Sequence, residues 1–279
     1  MQNPFGLSVY TKISFRTSLI FSLILFFVLI AGYFTLSYVR HVENPVDKII
    51  PSASQLFDGV KNAVSPDRNG ERPIIVDTFA SLKRFFLGLL IGSFLGVSLG
   101  LSMGLFPFFE ALFLRFVLYF GKIPPLAIMP VIFVFAGIGE ELKVILIAAG
   151  ILFPIAMDTY LNVSPKSKKG IPSQQLVKAL SLGIHTPSVF ASIVLPQIMP
   201  SILNAIRMNL LNAWLFLIAS EAIAAEAGLG YRIFLVRRYL AMDTIIPYVF
   251  WIALLSFLFD AALIFAIRRG YPWFQEAEK

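Results

Sequence analysis

The sequence has no cysteine and only two histidines, His41 and His185, among its 279 residues. It therefore offers no disulfide, no thiol nucleophile and no cysteine metal site, and two lone histidines cannot form a metal cluster by themselves. A phosphate-binding loop is also missing, because Gly121-Lys122 has neither the leading glycine nor the following hydroxyl residue of that motif. We expect no metal site, no ATP site and no catalysis by this chain alone.

Charged residues are scarce, at 14% of the chain, whereas soluble proteins contain roughly 25%. Hydrophobic residues make up 58%, and the mean hydropathy is +0.81. These values are typical of an integral membrane protein embedded in a lipid bilayer. The net charge of +7 is not gathered into a basic patch interleaved with aromatic residues, so we predict no nucleic-acid partner.

Long apolar runs predict an all-α, polytopic bundle of six transmembrane helices, because about 20 apolar residues cross a hydrocarbon core of ~30 Å. The predicted spans are 19–39, 85–105, 108–135, 144–161, 198–225 and 245–267. The hydrophilic segment 40–72 is nearly charge-balanced and is predicted to lie outside, on the membrane surface, with a short amphipathic helix from Ser52 to Val64. We divide the chain into residues 1–72, the first helix with this external loop, and 73–279, a core with five spans.

An even number of spans places both termini on one side of the membrane, together with the lysines of the segment 164–200. These are Lys166, Lys168, Lys169 and Lys178, in a stretch without Asp or Glu. Lysine and arginine accumulate on the cytoplasmic side, which predicts cytoplasmic termini. Four basic residues fall on the opposite side and are too few to reverse this orientation. They are Lys83, Arg84, Arg237 and Arg238.

Five glycines recur at every fourth position of the second span and therefore share one helix face. They are Gly88, Gly92, Gly96, Gly100 and Gly104. In a bilayer, a stripe of small residues lets a second backbone approach closely. We predict that this face packs tightly against another helix.

The third span is interrupted between Ile123 and Pro130, where three prolines break the regular helix. Irregular backbone at membrane depth is tolerated where it is buried in protein or lines a watery path. The segment is therefore either part of a translocation pathway or a packing kink. The candidate pathway residues are Pro124, Pro125, Asn209, Asn212 and Glu221.

Two pairs of glutamates lie at the predicted outer ends of spans, Glu140 with Glu141 and Glu221 with Glu226. Their position favours a hydrated mouth of the protein. A role in rejecting anions or attracting cations is the alternative.

Arg207 in the fifth span and Asp260 in the sixth lie at similar depth, roughly 10–14 Å from the cytoplasmic ends at ~1.5 Å per residue. An unpaired charge at this depth costs about 2.5 kcal/mol or more. We predict that the two form an intramembrane ion pair, within one chain or across a dimer. The pair would serve either as a structural pin or as a contact to the cargo.

The segment Val177 to Gly183, VKALSLG, is followed after nine residues by Ile193-Val-Leu-Pro196. This arrangement resembles the coupling-loop motif of ATP-binding cassette (ABC) importer permeases, E-A-A-x-x-x-G with a later I-x-L-P. The glycine, the second alanine and the tail match the motif. Val177 and Lys178 stand where the family has its glutamate and first alanine.

Further motifs follow the order seen in nitrate, sulfonate, taurine and bicarbonate-type permeases, over roughly Asp77 to Trp273. After the glycine-rich helix come Lys122–Pro130, Phe135–Gly139, Leu152–Pro154, Glu221 and Tyr231. The resemblance implies a type I importer permease fold in a bacterial cytoplasmic (inner) membrane. The run Trp214 to Pro247 looks like permeases associated with urea carboxylase and guanidine use, which favours a small nitrogenous cargo over a sulfonate- or nitrate-like one.

The resemblance also implies partners. A second copy or a paralogue would complete the pore, two cytoplasmic ATP-binding subunits would carry ATP and Mg²⁺, and an extracytoplasmic solute-binding protein would deliver cargo. The helix that couples to the ATPases would span about Ser173 to Thr186. The coupling residues would be Lys178, Ala179, Gly183, His185, Leu195 and Pro196.

Two alternatives accompany this assignment. Lys178 either contacts the ATPase in place of the missing glutamate or reflects only the cytoplasmic excess of basic residues. The whole chain could instead belong to an ion-gradient-driven secondary transporter or channel, with Asp260 as an ion site.

Overall fold

The computed structural model describes residues 14–44, 47–67, 70–137, 139–183 and 185–276. This part of the chain forms thirteen α-helices, one π-helical turn (Phe190–Val194) and no β-strand, which confirms the all-α fold class. The helices are α1 (Phe15–Glu43), α2 (Ala53–Val64), α3 (Pro73–Leu105), α4 (Pro107–Phe120), α5 (Met129–Ala136), α6 (Glu140–Val163), α7 (Ser173–Ser181), α8 (Thr186–Val189), α9 (Leu195–Met208), α10 (Leu210–Ala224), α11 (Leu229–Arg237), α12 (Met242–Gly270) and α13 (Pro272–Glu276).

Local sequence signals account for several helix boundaries. Ser52 begins α2 as predicted, with a capping box in which its hydroxyl and the Gln55 side chain each bond the other residue's backbone N–H. Proline is the first residue of α3 and α4 and the second of α5, where its missing N–H costs no helical hydrogen bond. Gly183 has a φ of +77°, a left-handed conformation that ends α7 nearby, so this helix stops at Ser181 and not at Thr186.

Five helical segments of the described chain are long and apolar enough to cross a membrane. They are 16–43, 73–105, 140–163, 190–223 and 242–270. The predicted count of six is not confirmed, because the third span is divided into α4 and α5, of 14 and 8 residues. At ~1.5 Å per residue neither crosses a ~30 Å core alone. Pro124 and Pro125 lie in the irregular stretch between them, which explains the division.

α3 and α6 form the most extensive helix pair, and they run parallel. Gly88 lies against Ile147, and sixteen positions later Gly104 lies against Val163. Because α6 begins at Glu140 beside Arg84, the chain that carries α4 and α5 returns along the whole pair before α6 starts. The distance from Arg84 to Gly104 along the helix is about 30 Å.

The remaining long helices complete the bundle around α6. α9 and α10 run antiparallel to α6, since Val163 clusters with Ile198 while a Cβ on Gly150 would meet Phe216. The rings of Phe259 in α12 and Trp214 in α10 stack at 6.2 Å in the main core. We call the end with α7 and Val163 the α7 end, and the end with Glu140 and α11 the α11 end.

The segment before the core attaches at the α11 end. None of the most apolar stretch of α1 is buried. The hydroxyls of Tyr33 and Ser37 donate to the carbonyls of Pro51 and Ile50 in the connection to α2. α2 packs on α12 so closely that a Cβ on Gly59 would fall 2.0 Å from the Asp243 carbonyl oxygen.

Candidate functional site

The predicted coupling helix, α7, projects an apolar surface at the α7 end. Val177 is 60% exposed and Leu182, just after the helix, is 80% exposed. The opposite face is anchored, because Ala179 is buried and Leu176 packs against the cluster of Val163 and Ile198. α7 therefore contacts the bundle through Leu176 and Ala179, while Val177 and Leu182 stay exposed.

The other predicted coupling residues surround α7. Lys178 is exposed on the helix, and Gly183 is exposed in the turn after it. The carbonyl of His185 accepts the backbone N–H groups of Ser188 and Val189 and so starts α8. Leu195 and Pro196 form the first turn of α9, next to Gln197, whose amide donates to Gln175 of α7 at 3.4 Å. The start of α9 thus lies beside α7 at the α7 end.

The basic segment before α7 is partly tied to the bundle. Lys166 donates to both carboxylate oxygens of Glu110 at 2.9 and 2.7 Å, and the Tyr160 hydroxyl donates to the same carboxylate at 2.9 Å. The hydrogen bond and the charge of Glu110 raise the pKa of Lys166 above its ordinary value. Lys168 and Lys169 remain exposed beside it.

All five glycines of the stripe face α6. A Cβ on Gly92 would come within 2.8 Å of the Ala148 backbone, and one on Gly96 within 2.8 Å of the Leu152 carbonyl oxygen. Gly100 meets Ala156 and Thr159 in the same way. Contacts below 3.0 Å to backbone atoms cannot be relieved by rotating a side chain, so the absence of Cβ atoms sets the distance between α3 and α6.

Three of the predicted pathway residues meet around one cavity. Pro124, Pro125 and Asn212 line a space of about 210 Å³ between the broken segment, α6 and α10. Asn209 is not among its lining residues: it is buried, donates to the Ala205 carbonyl and accepts from Asn212 at 3.0 Å. At the break between α9 and α10, the Asn209 side chain therefore links the two helices by hydrogen bonds to Ala205 and Asn212.

Glu221, the fifth pathway candidate, lies elsewhere. Its side chain is 0% exposed at the α11 end, so the expected hydrated mouth is wrong for this residue. It accepts from the Ser81 hydroxyl at 2.8 Å, from Arg84 Nη1 at 2.7 Å and from the Gly230 N–H at 2.8 Å. These donors satisfy a carboxylate that would otherwise be costly to bury.

A second buried carboxylate, Asp77, extends this network to α11 and α12. It accepts from Arg232 Nε at 2.8 Å, from the Tyr248 hydroxyl at 3.0 Å and from the Gly228 N–H at 3.0 Å. Burial would lower the pKa of Arg232, yet the hydrogen bond and charge of Asp77 outweigh it and raise this pKa. α3, α10, α11 and α12 are thus joined by polar contacts at the α11 end.

Glu140 completes the network from outside. Arg84 donates through Nε and Nη2 to its two carboxylate oxygens, the latter at 2.8 Å, and Lys143 donates to it as well. Glu140 is exposed as the sequence analysis expected, but it is paired to buried cations and is not simply hydrated. Glu141 and Glu226 are exposed.

Arg207 and Asp260 meet within one chain. Arg207 Nε lies 3.8 Å from Asp260 Oδ1, an ion-pair distance too long for a hydrogen bond. The side chains are 25% and 43% exposed, so the pair lies on the surface of this chain and not in its core.

Sequence reasoning missed most of the buried network. Asp77, Ser81 and Arg84 precede Gly88 at helical spacing, so the polar residues continue the face of the glycine stripe. That continuation was a usable signal, because polar residues on a packed helix face require partners. Lys143 gave no such signal. Among the described residues, no group of three or more His, Cys, Asp or Glu is placed to hold a metal ion.

The chain is similar to a known family of transport proteins and to several of its members. The family model "Binding-protein-dependent transport system inner membrane component" matches residues 80–269. The taurine transport system permease protein TauC of Escherichia coli (strain K12) is 29% identical over 229 residues, covering 82% of this chain and 82% of that protein. A probable ABC transporter permease protein of Brucella abortus (strain 2308) is 31% identical over 261 residues, covering 94% of this chain and 98% of that protein.

A solved structure has the same fold. The inward-facing MetNI methionine ABC transporter matches with a TM-score of 0.56 at 19% identity, over 69% of this chain and 93% of that chain. At this sequence identity, the match shows a shared fold and nothing further.

Proposed function

The chain belongs to the family of binding-protein-dependent transport system inner membrane components, and we propose that it passes solute across the membrane when a partner ATPase moves α7. The family and the importer-permease fold are those that the coupling-loop resemblance implied. The chain is a transport subunit of an ABC importer. ATP and Mg²⁺ would be bound by the partner ATPases.

The observation that carries the coupling role is the exposed surface of α7. Val177 and Leu182 are large, apolar and exposed at the end of the bundle where the lysines of the basic segment lie, and so many charges make the hydrocarbon core an unsuitable environment for this helix. Burial of two such side chains in a partner contributes about 1.5–3 kcal/mol each. Anchoring by Ala179 and Leu176 lets a force on α7 reach the bundle.

The proposed topology has six crossings and both termini in the cytoplasm. Since α3 and α6 are parallel, the chain between Leu105 and Glu140 must return across the bilayer, and α4 with α5 supplies that broken crossing. The α7 end is the cytoplasmic one because it gathers the lysines of the basic segment. The α11 end then faces an extracytoplasmic solute-binding protein.

The proposed cargo is a small solute of the taurine, sulfonate or nitrate type, because relatives of this chain are named as taurine, aliphatic sulfonate and nitrate permeases. The guanidine-associated subgroup stays a prediction from the sequence. The cavity at Pro124, Pro125 and Asn212 is the proposed pathway site, in a pore completed by a second copy or a paralogue.

The test is co-purification of the ATPase subunits with this chain from membranes in which both are produced. Replacing both Val177 and Leu182 by Asp should lower co-purification of the ATPase at least ~10-fold, equivalent to about 1.4 kcal/mol of binding. Val42→Asp is the matched control, because Val42 is 66% exposed but belongs to α1 near the other end. Its complex should assemble normally.

Uptake that continues without any ATPase subunit and collapses with an uncoupler would instead support a secondary transporter and contradict the proposal. Retained ATPase binding by the double variant would contradict the docking role of α7.

A further inference from the structure

Two buried cations share one exposed carboxylate at the α11 end. The side chains of Arg84 and Lys143 are 7% and 2% exposed, whereas Glu140, which pairs with both, is 65% exposed. The carboxylate of Glu140 is in contact with water as well as with the two cations. The two cations are buried, and charges removed from water need a counter-charge. Glu140 therefore acts as an outer cap on a cationic recess.

The recess is built to hold two anionic oxygens. Arg84 presents Nε and Nη2 side by side to the two oxygens of Glu140, and Lys143 Nζ donates to one of them. The third guanidinium nitrogen, Nη1, is already used by Glu221 and by the Ala227 carbonyl. In the described part of the chain, Glu140 is the only acidic group within ion-pair distance of Lys143.

The charge of the recess matches a monovalent anion. Without Glu140, the network retains three cations, Arg84, Lys143 and Arg232, against the carboxylates of Asp77 and Glu221. One positive charge is then uncompensated in a buried site. The N-terminus of α6, which begins at Glu140, adds the favourable end of a helix dipole.

Glu140 is the member of the network that can most easily leave. It is the first residue of α6 and follows a connection with glycine at 137 and 139, the former at a φ of +72°. Apart from its chain neighbours, nothing lies within 4 Å of a Cβ built on either glycine, so these two positions have free space beside them. Arg84 and Lys143 instead project from within helices α3 and α6.

We propose that Arg84 and Lys143 form an oxyanion-binding site in which the Glu140 carboxylate stands in for two oxygens of a nitrate or sulfonate group. An incoming oxyanion displaces Glu140 and takes over the fork of Arg84, whose geometry suits planar and tetrahedral oxyanions alike. That the bound anion is the cargo, held at the entry side of the pathway, rests on the proposed function. The binding of an oxyanion by Arg84 and Lys143 does not.

The experiment measures anion binding by the full chain in phosphate-free detergent, without ATPase subunits or uptake. The thermal unfolding midpoint is recorded while sodium methanesulfonate or sodium nitrate replaces sodium chloride at constant ionic strength. Glu140→Ala should be stabilised saturably, with an apparent affinity at least ~10-fold tighter than the unmodified chain, where the tethered carboxylate competes. Because no transport is measured, failure here and failure of the proposed function are separate results.

Glu141→Ala is the matched control, since Glu141 is the exposed neighbour on the same turn and pairs with neither cation. It should behave like the unmodified chain. Adding Lys143→Met to Glu140→Ala should weaken the anion effect ~10-fold or more. If Glu140→Ala does not fold in chloride, its recovery by methanesulfonate during purification supports the site. If it folds in neither salt, Glu140→Gln is titrated in the same way.

Equal shifts in all variants would be a general salt effect and would overturn the proposal, as would the absence of any saturable shift in Glu140→Ala and Glu140→Gln. A parallel titration with short-chain phosphatidylglycerol separates lipid headgroups from free oxyanions. Stabilisation by that lipid alone would likewise overturn it.

Discussion

Asp77 at the start of α3 holds Arg232 of α11 through an ion pair of 2.8 Å, although 155 positions separate the two residues. The carboxylate also accepts from the Tyr248 hydroxyl and from the Gly228 N–H. One side chain therefore fixes α11 and α12 to α3. In this way the short helix α11 is held in position between α10 and α12.

Replacing Asp77 by Ala should destabilise the protein strongly. The change leaves three donors without their acceptor, and breaking a buried ion pair from one side costs about 3–5 kcal/mol. Thermal unfolding in detergent measures the loss. Glu226→Ala, in the exposed connection to α11, should stay within about 0.5 kcal/mol of the unmodified chain. Similar midpoints for both variants would contradict the anchoring role of Asp77.

Gly92→Ala should destabilise the α3–α6 pair despite the better helix propensity of alanine. Its Cβ would lie 2.6 Å from Ile151 Cγ1 and 2.8 Å from the Ala148 backbone, and overpacking of this kind costs about 1–3 kcal/mol. Gly32→Ala in α1 is the control, because nothing lies within 4 Å of its Cβ. It should leave the unfolding midpoint unchanged or raise it slightly. A harmless Gly92→Ala would show that the helices separate easily.

Arg207 and Asp260 should depend on one another. Asp260→Asn leaves Arg207 without its nearest counter-charge at a depth where this costs about 2.5 kcal/mol or more, so the yield of monodisperse protein should fall. The double change of Arg207 and Asp260 to Leu should restore that yield. Arg269→Gln, an exposed change at the end of α12, is the control. A double variant worse than either single one would assign the charges a role beyond mutual compensation.

Gly183→Val should impair coupling while it leaves membrane insertion intact. The φ of +77° costs a residue with a Cβ roughly 1–2 kcal/mol, and the turn between α7 and α8 must then change its path. We expect reduced ATP hydrolysis by the assembled complex and normal amounts of inserted permease. Ser181→Ala, two residues earlier on α7, should retain hydrolysis. Full activity of Gly183→Val would show that this turn need not keep its shape.

Residue periodicity was enough to predict the helices and the closest packing face. The five glycines predict that their face packs against another helix, because a row of residues without Cβ atoms lets a second backbone approach closely. The capping box at Ser52 and Gln55 was likewise local and readable. The division of the third span was foreseen from its prolines, but the length of each piece depended on packing against α3 and α6.

The buried network was not predictable in the same way. Glu221 and Glu140 lie 81 positions apart in the sequence, and only the fold brings both to Arg84. A carboxylate at the end of a span is hydrated in an isolated helix, so the sequence alone favoured a hydrated mouth of the protein at Glu221. Burial of Glu221 follows from the arrival of α11, whose backbone N–H at Gly230 supplies a donor that no side-chain pattern announces.

The interlocking of α3 and α6 also limits how the molecule can change shape. Ile147 and Ile151 fill the gaps left by Gly88 and Gly92, so neither helix can slide past the other without steric collision. The two behave as a single stiff rod of about 30 Å. A displacement received beside Val163 should therefore carry both helices together, from Val163 to Arg84 and Glu140.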